Sequence, residues 1–401
     1  MIDGPYKLPE GWRWVRLGEV AWREANLLKP SEEPNKRFRY LGMEQIKSGQ
    51  WEEPQPIEVE GHEIKSQVVK FRPGIVLYGR LRPYLNKVAV PLFEGVASTE
   101  FVPIATRQDV LISHYLCAFL RSPAFVTYAS NNTTGSRQPR VRYEAIWKAL
   151  IPLPPFNEQR RIVAKVEMLM EQVREARCLR QKAVEDTDRL WQAVLADTFP
   201  CPGTDLPPNW RWVRLGEVAS RPQYGFTKSA TLHPIGPKFV RITDITSGEI
   251  DWSKVPYCEC DTKKLGKYRL YPGDVLFARS GSVGATILIK ETPYDAVFAS
   301  YLIRVRFRES VLSEFTNLLL KAPVCQRQLI PQGAAQKNIN ARLIESILIP
   351  LPPMSEQRRI VAYLKVVQKK IKFLEESQAQ FETELQRLEQ SILDSAFKGE
   401  L

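Results

Sequence analysis

IPLPPFNEQRRIVA, residues 151–164, decides the reading of this chain, because it returns 198 residues later as IPLPPMSEQRRIVA, residues 349–362. A second block behaves in the same way: LPEGWRWVRLGEVA (8–21) returns as LPPNWRWVRLGEVA (206–219), again 198 residues on. Two blocks repeated at one offset mean an internal duplication. Between the blocks the halves diverge but keep their turn residues in step, Ser48-Gly49 with Ser247-Gly248, Pro73-Gly74 with Pro272-Gly273, Gly135 and Gln138 with Gly333 and Gln336. Idle drift would spread differences evenly. Fixed ends around varied middles imply one fold presenting two different surfaces.

After the prolines of each closing block (Pro152, Pro154, Pro155; Pro350, Pro352, Pro353) come about 40 residues without Pro or Gly, up to Pro200 and Gly399. The composition predicts two long helices, with Asn157 and Ser355 as N-caps. In the second stretch, apolar residues fall at Ile360, Leu364, Val367, Ile371, Leu374, Phe381, Leu385, Leu388 and Ile392, the alternating spacing of a coiled-coil seam. The first stretch has the same register at Ile162, Val166, Leu169, Val173, Ala176, Ala183, Leu190 and Val194, with polar rungs at Arg180, Thr187 and, in the second, Gln378. Two matching seams on one chain most simply bury against each other, and connectivity makes the pair antiparallel. Pairing with a separate protein is the alternative, and the outer faces stay free in either case. At about 1.5 Å per residue each helix is about 60 Å long.

The expected fold is mixed α/β: two globular α/β domains, 1–154 and 200–352, separated by long helices, 155–199 and 353–401, in a pseudo-twofold cyclic layout. Short β-rich runs such as VVKFRPGIVLYGRL, YRLYPGDVLFAR and YLIRVRF are broken by Pro-Gly and Ser-Gly turns. The stretches SHYLCAFLRSPAFVTYAS and SEFTNLLLKAPVCQRQLI read as matching helices.

Composition sets the function class. No run approaches the roughly 18 uncharged apolar residues of a membrane span, and the first residues, MIDGPYKLPEGW, lack the order of a signal peptide, so a cytoplasmic protein is expected. Six scattered cysteines and three histidines offer no metal-ligand spacing, and neither metal nor cofactor is expected. Of the formal net charge of +12, all sits in the globular segments: 21 basic against 16 acidic residues in 1–154 and 20 against 13 in 200–352, whereas each helix carries 8 of both. Two basic heads on neutral rods suit two segments of DNA.

Within the heads, basic residues cluster with aromatic and small polar ones. Tyr78, Arg80 and Arg82 lie in YGRLRPY (78–84), opposite Arg279, Ser280 and Ser282 in FARSGSVG (277–284). Backbone N–H groups of such a turn can approach phosphate, and its arginine phosphate or guanine; an ordinary hairpin with a solvated arginine is the competing reading. A second cluster, TTGSRQPRVR (133–142), carries Arg137, Gln138, Arg140 and Arg142, opposite Gln336, Lys337 and Asn338 in QGAAQKNIN (332–340). Gln and Asn can pair bidentately with adenine, Arg and Lys with guanine or phosphate. Because Gln138 and Gln336 coincide, they serve either bases or the scaffold.

With these residues the chain resembles the specificity subunit of a type I restriction-modification system. The resemblance spans essentially the whole length and rests on the duplicated LPxxWRWVRLGEVA and IPLPPxxEQRRIVA blocks and on GAAQKNIN with its partner GSRQPRVR. It implies two target recognition domains, each reading half of a bipartite double-stranded DNA site, and two antiparallel spacer helices. It further implies docking of two methyltransferase subunits and of restriction subunits, which carry the adenine methylation and ATP hydrolysis. Arg80-Leu81-Arg82 faces Arg279-Ser280-Gly281 and Arg140 faces Asn338, so the resemblance implies an asymmetric target.

Enzyme readings fare poorly. Leu153-Pro154-Pro155-Phe156 looks like the Asp/Asn-Pro-Pro-Tyr/Phe motif of adenine methyltransferases, but Leu153 and Leu351 cannot hydrogen-bond a flipped base, and a GxxxxGK[ST] loop is missing. No catalytic residue is expected. The remaining alternative is an architectural DNA-binding or coiled-coil protein acting alone.

Overall fold

The two repeated blocks of each half pair with one another. In the computed structural model, which describes residues 3–49, 51–246, 248–329 and 338–401, Arg13–Arg16 of the opening block forms an antiparallel ladder with Leu150–Leu153 of the closing block, from Arg13↔Leu153 to Arg16↔Leu150. Arg211–Arg214 and Leu348–Leu351 repeat it, from Arg211↔Leu351 to Arg214↔Leu348. Leu17 N–H extends the first ladder to the Ala149 carbonyl (2.9 Å), as Leu215 does to Ile347 (2.8 Å). Each ladder has only two strands, so both are edges and Pro152 and Pro350 remove no interior hydrogen bond.

A buried glutamine latches each closure to its long helix. Gln159 is fully buried; its Oε1 accepts from Ile112 N (2.9 Å) and its Nε2 donates to the carbonyls of Val110 (2.8 Å) and Pro154 (3.1 Å). Gln357 makes the same set with Leu312 N, Ser310 O and Pro352 O. The identity of EQRRIVA in both halves thus has a local cause. Gln159→Leu would leave three backbone groups without their partner, and we expect it to cost about 1–3 kcal/mol, read as a lower midpoint in urea, whereas Asn157→Ala on the exposed face should shift it little.

The helices begin two residues earlier than caps at Asn157 and Ser355 imply. They run Phe156–Thr198 and Met354–Lys398, so Asn157 and Ser355 lie inside the first turn and are not N-caps. Pro155 and Pro353 precede the helices instead, and their carbonyls accept from the N–H groups of residues three and four positions on. A cap residue needs no N–H of its own, which lets proline occupy the position.

The chain forms two units: Met1–Gln181 with Ala379–Leu401, and Lys182–Gln378. In unit one a four-stranded antiparallel sheet has the order Ala21–Arg23, Phe101–Thr106, Val76–Gly79, Val88–Ala89. A five-stranded sheet follows the order Asn26–Leu28, Val68–Phe71, Gly95–Ser98, Arg37–Leu41, Ile57–Glu60, parallel only between Arg37–Leu41 and Gly95–Ser98. Helices Ser113–Arg121 and Pro123–Asn131 are split at Ser122, which caps the second by accepting from Phe125 N.

Unit two repeats the four-stranded order with Gln223–Tyr224, Leu302–Val305, Val275–Ala278 and Thr286–Leu288, and the parallel pair with Lys238–Val240 and Ala296–Phe298. Register fixes the correspondence. Leu77↔Pro103 matches Leu276↔Arg304, and Tyr78↔Val102 matches Phe277↔Ile303.

Within each unit the helix segments run antiparallel. In unit one Arg161 donates to the Leu401 carbonyl (2.6 Å), and further along Arg177 pairs with Glu389 (2.8 Å) and Arg180 with Glu382 (2.9 Å). In unit two Gln378 donates to Thr187 Oγ1 (3.1 Å), while Leu195 and Phe199 share a core with Ile360 and Leu364. The strict heptad does not persist. Ile162, Val166, Val173, Ile360, Leu364, Ile371, Leu385 and Ile392 are buried, but Leu190, Leu374, Phe381 and Leu388 are 42–49% exposed and Ala183 is exposed. Val184, Trp191, Glu382 and Glu389 take the inward positions, the drift expected of a straight 3.6-residue helix against a 3.5-residue pattern. Among the described residues no helix is long and apolar enough to cross a membrane.

Candidate nucleic-acid interface

Arg80 and Arg279 leave equivalent strands, Val76–Gly79 and Val275–Ala278. The structure brings the two sequence clusters of unit one together: Leu81 bridges Arg140, Val141 N–H donates to the Arg80 carbonyl (3.0 Å) and Arg82 N–H to Pro139 (2.7 Å). On the other side Arg80 N–H donates to the Glu100 carbonyl (3.0 Å). Unit two has the same frame, with Arg279 N–H on the Tyr301 carbonyl (3.0 Å) and Ile339 N–H on the Arg279 carbonyl (2.8 Å). Position for position, Glu100 therefore corresponds to Tyr301 and Arg140 to Asn338.

Both strand-end arginines are stacked. The Arg80 guanidinium lies 4.3 Å from the Tyr143 ring centre and Arg23 stands 4.5 Å from the same ring, while Arg279 lies 5.1 Å from Tyr224. Tyr143 and Tyr224 come from different places in the repeat, one at the start of the helix Tyr143–Lys148, the other in an edge strand. Stacking orients a guanidinium while leaving its in-plane donors for another acceptor. The Nε of each arginine is buried without a hydrogen-bond partner.

Arg140 is held differently. Its Nε reaches both Glu100 carboxylate oxygens (3.0 and 2.9 Å), its Nη2 reaches Oε1 (2.5 Å), and Gln138 Oε1 accepts a further bond from Nη2 (3.2 Å). The bond to Glu100 raises the Arg140 pKa above its ordinary value. Arg82, Arg137, Gln138 and Arg142 are exposed, with Arg82 in the left-handed region at φ 51°, a conformation that turns the chain into the short helix Pro83–Leu85. Ser282 is exposed and Ser280 and Asn338 are half-buried. Gln336 and Lys337 lie outside the described residues.

Tyr78 is corrected to a core residue. It is 3% exposed, packs edge-on against Phe125 (5.6 Å) and corresponds to the buried Phe277, so burial alone raises its hydroxyl pKa. The residues that sequence reasoning missed are Glu100, Tyr143, Tyr224 and the 60% exposed Tyr301. Among the described residues no group of three or more His, Cys, Asp or Glu could hold a metal ion.

The family model described as the type I restriction modification DNA specificity domain matches residues 207–383. The specificity subunit of the type I restriction enzyme EcoKI from Escherichia coli (strain K12) is 24% identical over 322 residues, 75% of this chain and 68% of its own. The crystal structure of the HsdS subunit from Thermoanaerobacter tengcongensis is 36% identical, covers all of both chains and superimposes with a TM-score of 0.60. The chain belongs to the family of type I restriction-modification specificity subunits. A chain from a structure on complex assembly and conformational transition of the type I R-M system is similar too, with 35% identity, a TM-score of 0.84 and coverage of 99% of this chain and 100% of that one. As a specificity subunit, the protein has one of its matched arginine frames in the half that the family model covers and the other in the half outside that match.

Proposed function

We propose that this specificity subunit is a non-catalytic cytoplasmic reader of a bipartite, asymmetric site in double-stranded DNA. One half-site falls to the recognition domain 1–154 and the other to 200–352. The segments 155–199 and 353–401, with the recognition domains, dock two methyltransferase subunits, which restriction subunits join. The observation that carries the reading is the pair of stacked arginines, Arg80 and Arg279, on one backbone frame with unlike neighbours. One frame used twice explains two readers, and unlike neighbours explain unlike half-sites. Arg82, Arg137, Gln138, Arg140, Arg142, Ser280, Ser282 and Asn338, together with Gln336 and Lys337, complete the proposed DNA-facing set.

Co-expression with a type I methyltransferase subunit tests the reading. The expected product is a stable complex that methylates adenine in one split motif; a chain that purifies alone and binds DNA without such a motif would favour the architectural alternative. Docking on the second helix is supported by Tyr363, Val366 and Phe373, which share one face and are 55%, 57% and 68% exposed. Phe373→Asp is expected to weaken methyltransferase co-purification about tenfold or more, as loss of an aromatic interface residue does, while the free chain melts at the wild-type temperature.

A further inference from the structure

The two readers share a frame but not the pair of side chains that flank its arginine. In unit one the pair is Glu100 and Arg140, locked together by three contacts of 2.5–3.0 Å. In unit two the corresponding residues are Tyr301 and Asn338, with no carboxylate at either position. The equivalence rests on the hydrogen bonds around Arg80 and Arg279 and on the register of the strands that follow Glu100 and Tyr301.

We propose that this flanking pair is the element that makes the half-sites differ, with Arg140 of unit one taking a guanine and Asn338 of unit two an adenine. The inference rests on the DNA-reading function proposed above and names its specificity-determining residues. The chemistry follows from donor geometry. Glu100 occupies the Nε side of the Arg140 guanidinium and fixes its plane, while the outer Nη edge rests on the exposed Gln138, whose Oε1 accepts from Nη2 (3.2 Å) and whose carbonyl accepts from Nη1 (3.4 Å). Guanine O6 and N7, the complement of those two parallel donors, would take the place of the Gln138 acceptors. An Asn amide presents one donor and one acceptor, the complement of adenine N7 and N6. Glu100 is a positioning residue: it touches Arg140 and is not required to touch the base. Tyr301, 60% exposed, puts a ring where unit one has that carboxylate, so Asn338 has no acidic neighbour at this position.

The pair is part-exposed, Arg140 at 33% and Glu100 at 24% of their side-chain surfaces, so exchanging it need not endanger the fold. The test uses the full chain co-expressed with a type I methyltransferase subunit, with the methylated motif read by single-molecule sequencing of the host DNA. Grafting the unit-two pair into unit one, Glu100→Tyr with Arg140→Asn, should convert one guanine of one half-site to adenine and leave the other half unchanged. The reciprocal graft, Tyr301→Glu with Asn338→Arg, should convert an adenine of the other half-site to guanine. Glu100→Gln alone should keep the motif but relax the guanine preference by about 5- to 150-fold, the discrimination one bidentate contact supplies. Grafts that co-purify with the partner and melt normally, yet leave the motif unaltered or alter both halves, overturn the inference. A wild-type complex that yields no split motif at all overturns the underlying function instead, so the two failures are distinguishable.

Discussion

Phe397→Ala is expected to cost unit one about 3–5 kcal/mol, the range for truncating a fully packed phenylalanine. Phe397 lies at the far end of the second long helix, yet it is 3% exposed and meets Tyr115 and Phe119 edge-on at 5.3 and 5.4 Å. Its carbonyl accepts from the Tyr6 hydroxyl (2.8 Å), and Ala396 and Leu393 are buried beside it in the same core as Ile162, Val166 and Val173. The truncation empties the point where the amino-terminal segment, the helix Ser113–Arg121 and both long helices meet. Since the chain has two units, one global unfolding free energy is the wrong quantity; hydrogen exchange in Ser113–Arg121 reports the loss directly. Leu388→Ala, at a side chain 49% exposed, should stay within about 0.5 kcal/mol of wild type. Equal protection in the two variants would mean that the final helical turns do not belong to this core.

The duplication was legible because it is written in side chains that the backbone needs. The opening and closing blocks pair strand to strand, Gln159 and Gln357 satisfy the same three backbone groups, and Arg161 and Arg359 pair with Glu158 and Glu356 one turn earlier. Any change there breaks a specific contact, so both copies kept it. Helix direction was legible from connectivity alone. The seam was legible only in part, because a 3.5-residue count falls out of step with 3.6-residue helical geometry over several turns, and Leu374, Phe381 and Leu388 are exposed.

The candidate site shows the same division. Arg80 and Arg279 stood out because Gly and Arg follow a strand, and the structure sets them in matching frames. Tyr78 was misread because all four residues of Val76–Gly79 are buried, so its strand is covered on both faces and has no polar side to betray orientation. Glu100 lies 40 residues from Arg140 in sequence, and only the strand register brings its carboxylate to the guanidinium. Tyr301 looked like one more aromatic in a β-rich run. Its exposure follows from its place just before Leu302–Val305, a fact of topology that composition does not carry.

Asp274→Ala in unit two is expected to be as costly, about 3–5 kcal/mol, because it strands a buried charge. Asp274 is 2% exposed; its carboxylate takes Arg306 through Nε (2.6 Å) and Nη2 (3.1 Å), lies 3.7 Å from Arg304 Nη1 and caps the turn by accepting from Tyr271 N (3.0 Å). Arg304, 6% exposed and with its pKa lowered by burial, keeps its bonds to the Arg269 and Lys267 carbonyls and to Gln223 but loses its nearby negative charge. Unit one provides the comparison. By strand register its residues at these positions are Ile75, Pro103 and Ala105, an apolar solution in the same sheet. A buried ion cluster replaced as a whole by apolar residues is often neutral or stabilising, whereas one missing a single member is not. Asp274→Ile with Arg304→Leu and Arg306→Ala should therefore recover most of the stability that Asp274→Ala loses, as read by hydrogen exchange in Val275–Ala278 and Leu302–Val305 of the wild type and the two variants. Asp274 leads directly into Val275–Ala278, which Arg279 follows, and Arg304 stands three residues after Tyr301. The cluster thus sits at the base of the frame that aims the second reader, and a triple variant as unstable as Asp274→Ala would mean that unit two depends on those charges for more than their mutual neutralisation.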